Sequence, residues 1–74
     1  MKITVKLFAT FRDGREKIQV FELEQGRTAE DVIAILGIEK SEIAIFLVNG
    51  RDGQFDKPLL EGDLIALFPP VGGG

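Results

Sequence analysis

The sequence contains no cysteine, histidine, tryptophan or tyrosine. Without cysteine the chain cannot form disulfides, thiolate nucleophiles or thiolate metal sites. Without histidine it lacks the commonest general base and the commonest metal ligand in proteins. Because both residue types are missing, the sequence argues against an enzyme that performs its chemistry with its own side chains.

Basic residues are also few, since the chain has nine Lys and Arg residues, twelve Asp and Glu residues and a net charge of −3. This balance argues against nucleic acid as a partner, because nucleic-acid binding needs clustered basic residues. It permits attraction to a basic protein partner.

No apolar run is long enough to cross a membrane, and the strand pattern that begins at Met1 leaves no room for a signal peptide. We therefore expect a cytoplasmic protein without a membrane partner.

A length of 74 residues, with 45% hydrophobic and 28% charged residues, predicts one globular domain with a modest core.

The acidic residues show no spacing typical of metal or glycosidase chemistry. Asp52, Asp56, Glu61 and Asp63 lie in predicted turns, where we expect them to be solvated, so no metal site is predicted.

The chain ends in Phe-Pro-Pro-Val-Gly-Gly-Gly, from Phe68 to Gly74. Pro69 and Pro70 have no N–H and a fixed φ, so they end sheet pairing and favour an extended path. The glycines that follow have no Cβ, so the chain becomes thin and mobile and can enter a narrow channel in another protein. We predict a folded domain over residues 1–68 and a flexible tail over residues 69–74.

Apolar patterns predict the other elements. Alternation at residues 2–9 and 17–24 predicts a hairpin, although Ile18 and Val20 break the alternation of the second strand and suggest a bulge or a twisted outer strand. The remaining predicted strands lie in the apolar run 43–49, in a short edge segment 54–56 and in 64–68. Turns are predicted at 10–16, at 50–53 and, as a helical turn, at 58–60.

One short helix is predicted over residues 29–36. Thr28 is typical of an N-cap residue, and the acidic residues at positions 30 and 31 favour the positive end of the helix. Val32, Ile35 and Leu36 form an apolar stripe at helical spacing. Gly37 suits the residue that ends a helix, with Ile38 making the hydrophobic contact after it.

Residues 68–74 resemble the end of MoaD-type sulfur carriers, which typically close in Pro-Pro-Val-Ala-Gly-Gly. Leu7-Phe8-Ala9-Thr10-Phe11-Arg12 is similar to the end of that family's first strand, and Val48-Asn49-Gly50 and Glu61-Gly62-Asp63 are similar to its turns. The resemblance covers the whole chain and places it in the MoaD/ThiS family of ubiquitin-like sulfur carriers, closer to MoaD at the C-terminus. It implies an α+β, ubiquitin-like β-grasp fold: a mixed sheet of four to five strands packed on one short helix, with the last strand parallel to the first at the centre.

Strand parity within this fold assigns a direction to each apolar side chain. The side chains expected to face the helix are Ile3, Val5, Leu7, Phe21, Leu23, Phe46, Val48, Ile65 and Leu67. Those expected on the opposite face are Phe8, Ile45, Leu47, Ala66 and Phe68. Because a chain this short has nothing to cover the second set, we interpret it as a partner-binding surface.

The resemblance also implies a chemistry for the tail. A partner enzyme uses ATP to adenylate the Gly74 carboxylate, and sulfur then displaces AMP to give a thiocarboxylate. Gly72 and Gly73 allow the enzyme to approach the backbone closely, while Pro69, Pro70 and Val71 carry the tail into it. The chain itself is expected to bind no cofactor and to be a carrier rather than an enzyme.

The implied partners are a MoeB- or ThiF-like adenylating enzyme and a MoaE-like large subunit of molybdopterin synthase, which Pro69-Pro70-Val71 favours. A ThiS-like carrier for thiamine thiazole synthesis, with a ThiG-like synthase, fits the short helix and the Ile35-Leu36-Gly37-Ile38 connection. A ubiquitin-like modifier that forms isopeptide bonds to lysine and a binding module with an inert tail remain alternatives.

We predict that deletion of Gly73 and Gly74 abolishes activation but changes the free energy of unfolding by about 0.5 kcal/mol or less, because the tail lies outside every apolar pattern. Thermal or denaturant unfolding of the full-length and shortened proteins tests this expectation. A large fall in the melting temperature would show that the glycines pack into the fold.

Overall fold

A computed structural model describes residues 1–70 of the chain, and the predicted roles of Val71, Gly72, Gly73 and Gly74 lie outside the described residues. The elements, in chain order, are β1 (Lys2–Leu7), β2 (Ile18–Glu22), α1 (Ala29–Leu36), β3 (Ile45–Val48), β4 (Arg51–Asp52) and β5 (Leu64–Phe68). Two short 3-10 turns lie at Ala9–Arg12 and Lys40–Glu42. None of the helices described here is both long and apolar enough to span a membrane.

The five strands form one mixed sheet in the order β2-β1-β5-β3-β4. At its centre β5 runs parallel to β1 and antiparallel to β3. The outer strand β2 pairs antiparallel with β1, and the outer strand β4 pairs antiparallel with β3. One helix packs on one face of this sheet. The predicted α+β class and the central, parallel position of the last strand are therefore confirmed.

The core lies between the sheet and α1, as strand parity predicts. Six of the nine side chains expected there are buried: Ile3, Val5, Leu7, Phe46, Ile65 and Leu67. The other three, Phe21, Leu23 and Val48, are half-buried and pack against the core cluster. Full burial of such a side chain contributes about 1.5–3 kcal/mol, so the central strands β1 and β5 hold the most strongly anchored residues.

The helix begins and ends where the sequence predicts. Thr28 is extended, and its N–H donates to Oδ2 of Asp31 at 2.9 Å, which satisfies one of the free donors at the start of the helix. Gly37 has a φ of 74°, in the left-handed region that glycine adopts without a Cβ clash. The Ile38 N–H then donates to the Ile33 carbonyl at 2.9 Å, and Ile38 is buried. These contacts close the helix in a Schellman motif.

The first strand is shorter than predicted. It ends at Leu7 rather than at residue 9, because Ala9 has a φ of 52° and turns the chain out of the strand direction. The 3-10 turn that follows replaces the start of the predicted polar turn, and it carries Phe11 into the core, where 4% of the residue is exposed. Burial of this aromatic side chain explains why a polar segment adopts an ordered turn.

The second strand contains no bulge. Its residues pair one to one with β1, from Lys2 opposite Glu22 to Lys6 opposite Ile18. The other predicted explanation, an outer strand, is confirmed: β2 is an edge strand, and Ile18 and Val20 are exposed.

The predicted edge strand at 54–56 and turn at 50–53 are wrong. Asn49 and Gly50 have φ values of 53° and 81°, as a two-residue hairpin turn requires, so the chain reverses at once and β4 lies at residues 51–52. Phe55, in the segment predicted as a strand, instead stacks on Phe46 with ring centroids 4.3 Å apart.

Residues 58–60 do not form the predicted helical turn. Pro58 forms an isolated bridge with Thr28, and the Leu59 N–H donates to the Arg27 carbonyl at 2.8 Å. Leu59 nevertheless belongs to the core, because only 4% of it is exposed.

Asp63, predicted as a solvated turn residue, is instead half-buried in a hydrogen-bonded network. Its Oδ1 accepts from Asn49 Nδ2 and its Oδ2 accepts from the Leu60 N–H, both at 2.9 Å. The side chain of Asn49 also accepts from the Leu64 N–H at 2.9 Å. This network ties the β3–β4 turn to the start of β5 and so fixes the register of the last strand.

We predict that Gly53→Ala lowers the free energy of unfolding by about 1–3 kcal/mol, the usual cost of overpacking. A Cβ at this position would lie 2.6 Å from Val48 Cγ2 and 2.7 Å from Phe46 Cε2, both in the core sheet. Denaturant unfolding measures the change, and Gln54→Ala, at the exposed neighbouring position, is the control and should change stability by about 0.5 kcal/mol or less. Equal stability of the two variants would contradict this packing.

Candidate functional site

The five residues predicted as a partner-binding surface lie together on the side of the sheet away from α1, and we call them the open face: Phe8, Ile45, Leu47, Ala66 and Phe68. Ile45 lies directly opposite Phe68, and Leu47 lies directly opposite Ala66, in the β3–β5 pair. Phe8 stacks on Phe68 with ring centroids 4.2 Å apart and an interplanar angle of 10°. The predicted cluster is therefore one contiguous apolar surface.

Exposure differs within the open face. Ile45 is 49% exposed, whereas the other four residues are half-buried by one another and by the strands. Within residues 1–70 no polar or charged residue is buried. A contiguous apolar surface without a buried acid or base is suited to binding another protein.

Two residues that sequence reasoning left off this surface extend it across the sheet. Ile18 lies opposite Lys6, which lies opposite Ala66, so all three side chains are on the same side. Val20 occupies the equivalent position beside Thr4 and is 61% exposed. The sequence could have placed both residues on this surface, because they are two positions apart in β2 and therefore point to the same face. The expectation of a bulge in that strand obscured this.

The base of the tail lies at the edge of the open face. The Phe68 carbonyl accepts from the Ala44 N–H at 2.8 Å, and the Leu67 carbonyl accepts from the Phe8 N–H at 3.2 Å. These bonds hold both sides of the last strand up to the residue before Pro69. Pro69 is half-buried and Pro70 is exposed, so the chain leaves the sheet here.

Arg12 completes the base of the tail and was not predicted as a site residue. Its Nε donates to the Leu7 carbonyl at 2.8 Å, and its guanidinium carbon lies 5.2 Å from the centre of the Phe8 ring. Arg12, Phe8 and Phe68 thus form a continuous stack. The sequence carried no separate signal for this contact, because it depends on the 3-10 turn that brings Arg12 back over the end of β1.

The chain as a whole is similar to known proteins. The model of the ThiS family matches residues 5–74. No curated protein sequence matches the chain.

Solved structures share the fold. SAMP1 from Haloferax volcanii is 26% identical, with a TM-score of 0.80 and full coverage of both chains. The Pyrococcus furiosus protein described as molybdopterin converting factor, subunit 1, is 30% identical over 96% of this chain and 99% of that one, with a TM-score of 0.76. A chain from the complex of subunits 1 and 2 of the Helicobacter pylori molybdopterin-converting factor is 24% identical over the full length of both chains, with a TM-score of 0.68, which shows the fold alone. The predicted ubiquitin-like β-grasp is confirmed.

Proposed function

The chain belongs to the ThiS family of ubiquitin-like sulfur carriers and modifiers, and from this premise we propose that it carries sulfur as a thiocarboxylate at Gly74 for molybdopterin biosynthesis. The observation that carries the proposal is the position of the last strand. It lies at the centre of the sheet, and its final residue, Phe68, belongs to the open face and leads directly into Pro69. On this proposal a folded domain, residues 1–68, presents a tail, residues 69–74, next to a docking surface.

The chemistry takes place on a partner enzyme. An oxygen of the Gly74 carboxylate attacks the α-phosphorus of ATP, pyrophosphate leaves, and a mixed anhydride with AMP forms. A sulfur nucleophile at the oxidation level of sulfide then attacks the carbonyl carbon, and AMP leaves. The chain supplies the carboxylate and its presentation, while the partner supplies ATP and the catalytic groups. On this proposal the chain is a carrier without enzymatic activity or a bound cofactor of its own.

The length of the tail allows the docking surface and the reacting carboxylate to lie far apart. At about 3.3 Å per residue, an extended tail over residues 69–74 places the Gly74 carboxylate about 20 Å from Phe68. The open face therefore docks on the outside of the MoeB- or ThiF-like enzyme while the tail enters its active site. Gly72 and Gly73 pass through the narrow part of that site, because they carry no side chain.

Molybdopterin synthesis is the proposed pathway because of Pro69-Pro70-Val71 and the 30% identity to the Pyrococcus furiosus converting-factor subunit. The Helicobacter pylori subunit occurs in a complex with a second subunit. By analogy, a MoaE-like large subunit is the second partner proposed for the open face. The cytoplasmic location stays a prediction.

Two other functions have specific support. The full-length similarity to SAMP1, a small archaeal modifier protein, supports conjugation of Gly74 to lysine. The match to the ThiS family model supports a carrier for thiamine thiazole synthesis with a ThiG-like synthase. Both alternatives begin with the same adenylation of Gly74, so that step is the first to test.

We predict that Phe68→Ala and Leu47→Ala each weaken binding to the adenylating enzyme by more than about 1 kcal/mol, because they remove large apolar side chains from the centre of the docking surface. Calorimetric titration of folded variants measures the effect. Ile35→Ala is the control, since Ile35 is 60% exposed but lies on α1, on the other side of the sheet. If all three variants bind like the wild type, the open face is not the docking surface.

A methyl group at Gly74 should slow adenylation more than one at Gly72. The enzyme must hold the terminal carboxylate in line with ATP, so a side chain next to the reacting carbon disturbs the geometry most. ATP–pyrophosphate exchange with the purified MoeB- or ThiF-like enzyme from the native host compares wild type, Gly72→Ala and Gly74→Ala. Absence of exchange with wild type would refute the proposed activation. An equal fall in the exchange rate for the two substitutions would refute the proposed placement of the tail.

A further inference from the structure

Arg12 is held in one orientation beside the point where the tail leaves the sheet. The hydrogen bond from its Nε to the Leu7 carbonyl, at 2.8 Å, fixes one edge of the guanidinium. The guanidinium carbon lies over the Phe8 ring, 5.2 Å from its centre, and the Phe8 ring in turn stacks on Phe68. These two contacts place the side chain of an exposed residue beside the base of the tail.

The outer edge of this guanidinium remains available. Arg12 forms no ion pair and donates no second hydrogen bond to any residue in the described range 1–70. Arg15 is different, because its Nε donates to the Leu36 carbonyl and its Nη1 donates to the Phe11 carbonyl. Arg15 joins the end of the helix to the 3-10 turn, whereas Nη1 and Nη2 of Arg12 are not used by any residue within 1–70.

Two parallel N–H groups on a planar cation match the two oxygens of a carboxylate. A protein that covers Phe8 and Phe68 would also remove water from the adjoining Arg12, and an unpaired charge in that position would oppose binding. An acidic side chain of the partner opposite Arg12 would supply this match and offset the lost hydration.

We propose that Arg12 determines which adenylating enzyme the chain can use, by pairing with an Asp or Glu carboxylate at the mouth of the channel that receives the tail. This inference rests on the proposed function, since it assumes activation of Gly74 by such an enzyme. Arg12 acts here as a specificity residue and takes no part in the adenylation step.

The test measures ATP–pyrophosphate exchange as a function of carrier concentration, with the MoeB- or ThiF-like enzyme from the native host. Arg12→Gln should raise the KM for the carrier about tenfold or more, and Arg12→Glu should raise it further through like-charge repulsion. Arg12→Lys keeps the charge but loses the two parallel N–H donors of the guanidinium, so its KM should still rise about threefold or more. The kcat should stay within about twofold of wild type in all three variants, because an interaction that binds ground state and transition state equally affects KM alone.

Arg51→Gln is the matched control. Arg51 is also exposed and lies in the edge strand β4. It pairs with Val48, whose side chain faces the core, so it is not on the side of the open face. Its substitution makes the same change in net charge and should leave KM within about twofold of wild type. The KM of wild type should also rise more steeply with salt concentration than that of Arg12→Gln, because salt screens the lost ion pair.

Each outcome has a distinct meaning. If wild type supports exchange and the Arg12 variants behave like Arg51→Gln, the proposal for Arg12 is wrong and the proposed function stands. If Arg12→Glu and Arg12→Gln have equal effects and the salt dependence is unchanged, Arg12 only supports Phe8, and the proposal is wrong. If wild type supports no exchange, the proposed function fails and the inference for Arg12 fails with it.

Discussion

The parallel pairing of the last strand with the first is the constraint on which the rest of the structure depends. Val5 lies opposite Ile65 and Leu7 lies opposite Leu67, and all four side chains are fully buried against the helix. This pairing brings the last strand, Leu64–Phe68, to the middle of the sheet, where strands on both sides hold it. A pull on the tail is therefore resisted by the most deeply anchored part of the molecule.

The same strands separate folding from recognition. Alternate residues of β5 point to opposite faces, so Ile65 and Leu67 stabilise the core while Ala66 and Phe68 contribute to the open face. A partner can cover the second set without disturbing the first. The contacts among Phe68, Phe8 and Arg12 make the two ends of this surface different, because they lie only at the end where the chain continues into Pro69.

Features set by neighbouring residues could be predicted from the sequence. Thr28 and Gly37 mark the ends of the helix through local hydrogen bonds and backbone conformation, and strand parity assigns the core and the open face. The errors arise where tertiary contacts override local pattern. The positive φ of Ala9 follows from a turn that buries Phe11, and the ordering of Asp63 depends on Asn49, fourteen residues away. Arg12 was missed for the same reason, because its role exists only once that turn has formed.

The central claim is that Gly74 carries sulfur, and mass spectrometry of the intact protein isolated from its native host tests it most directly. The account predicts a population heavier by the replacement of one oxygen by one sulfur, with the change located in the C-terminal fragment that contains Gly74. The population should disappear from a host that lacks the adenylating enzyme. Protein found only with an unmodified terminal carboxylate, or only joined through Gly74 to lysines of other proteins, would contradict it.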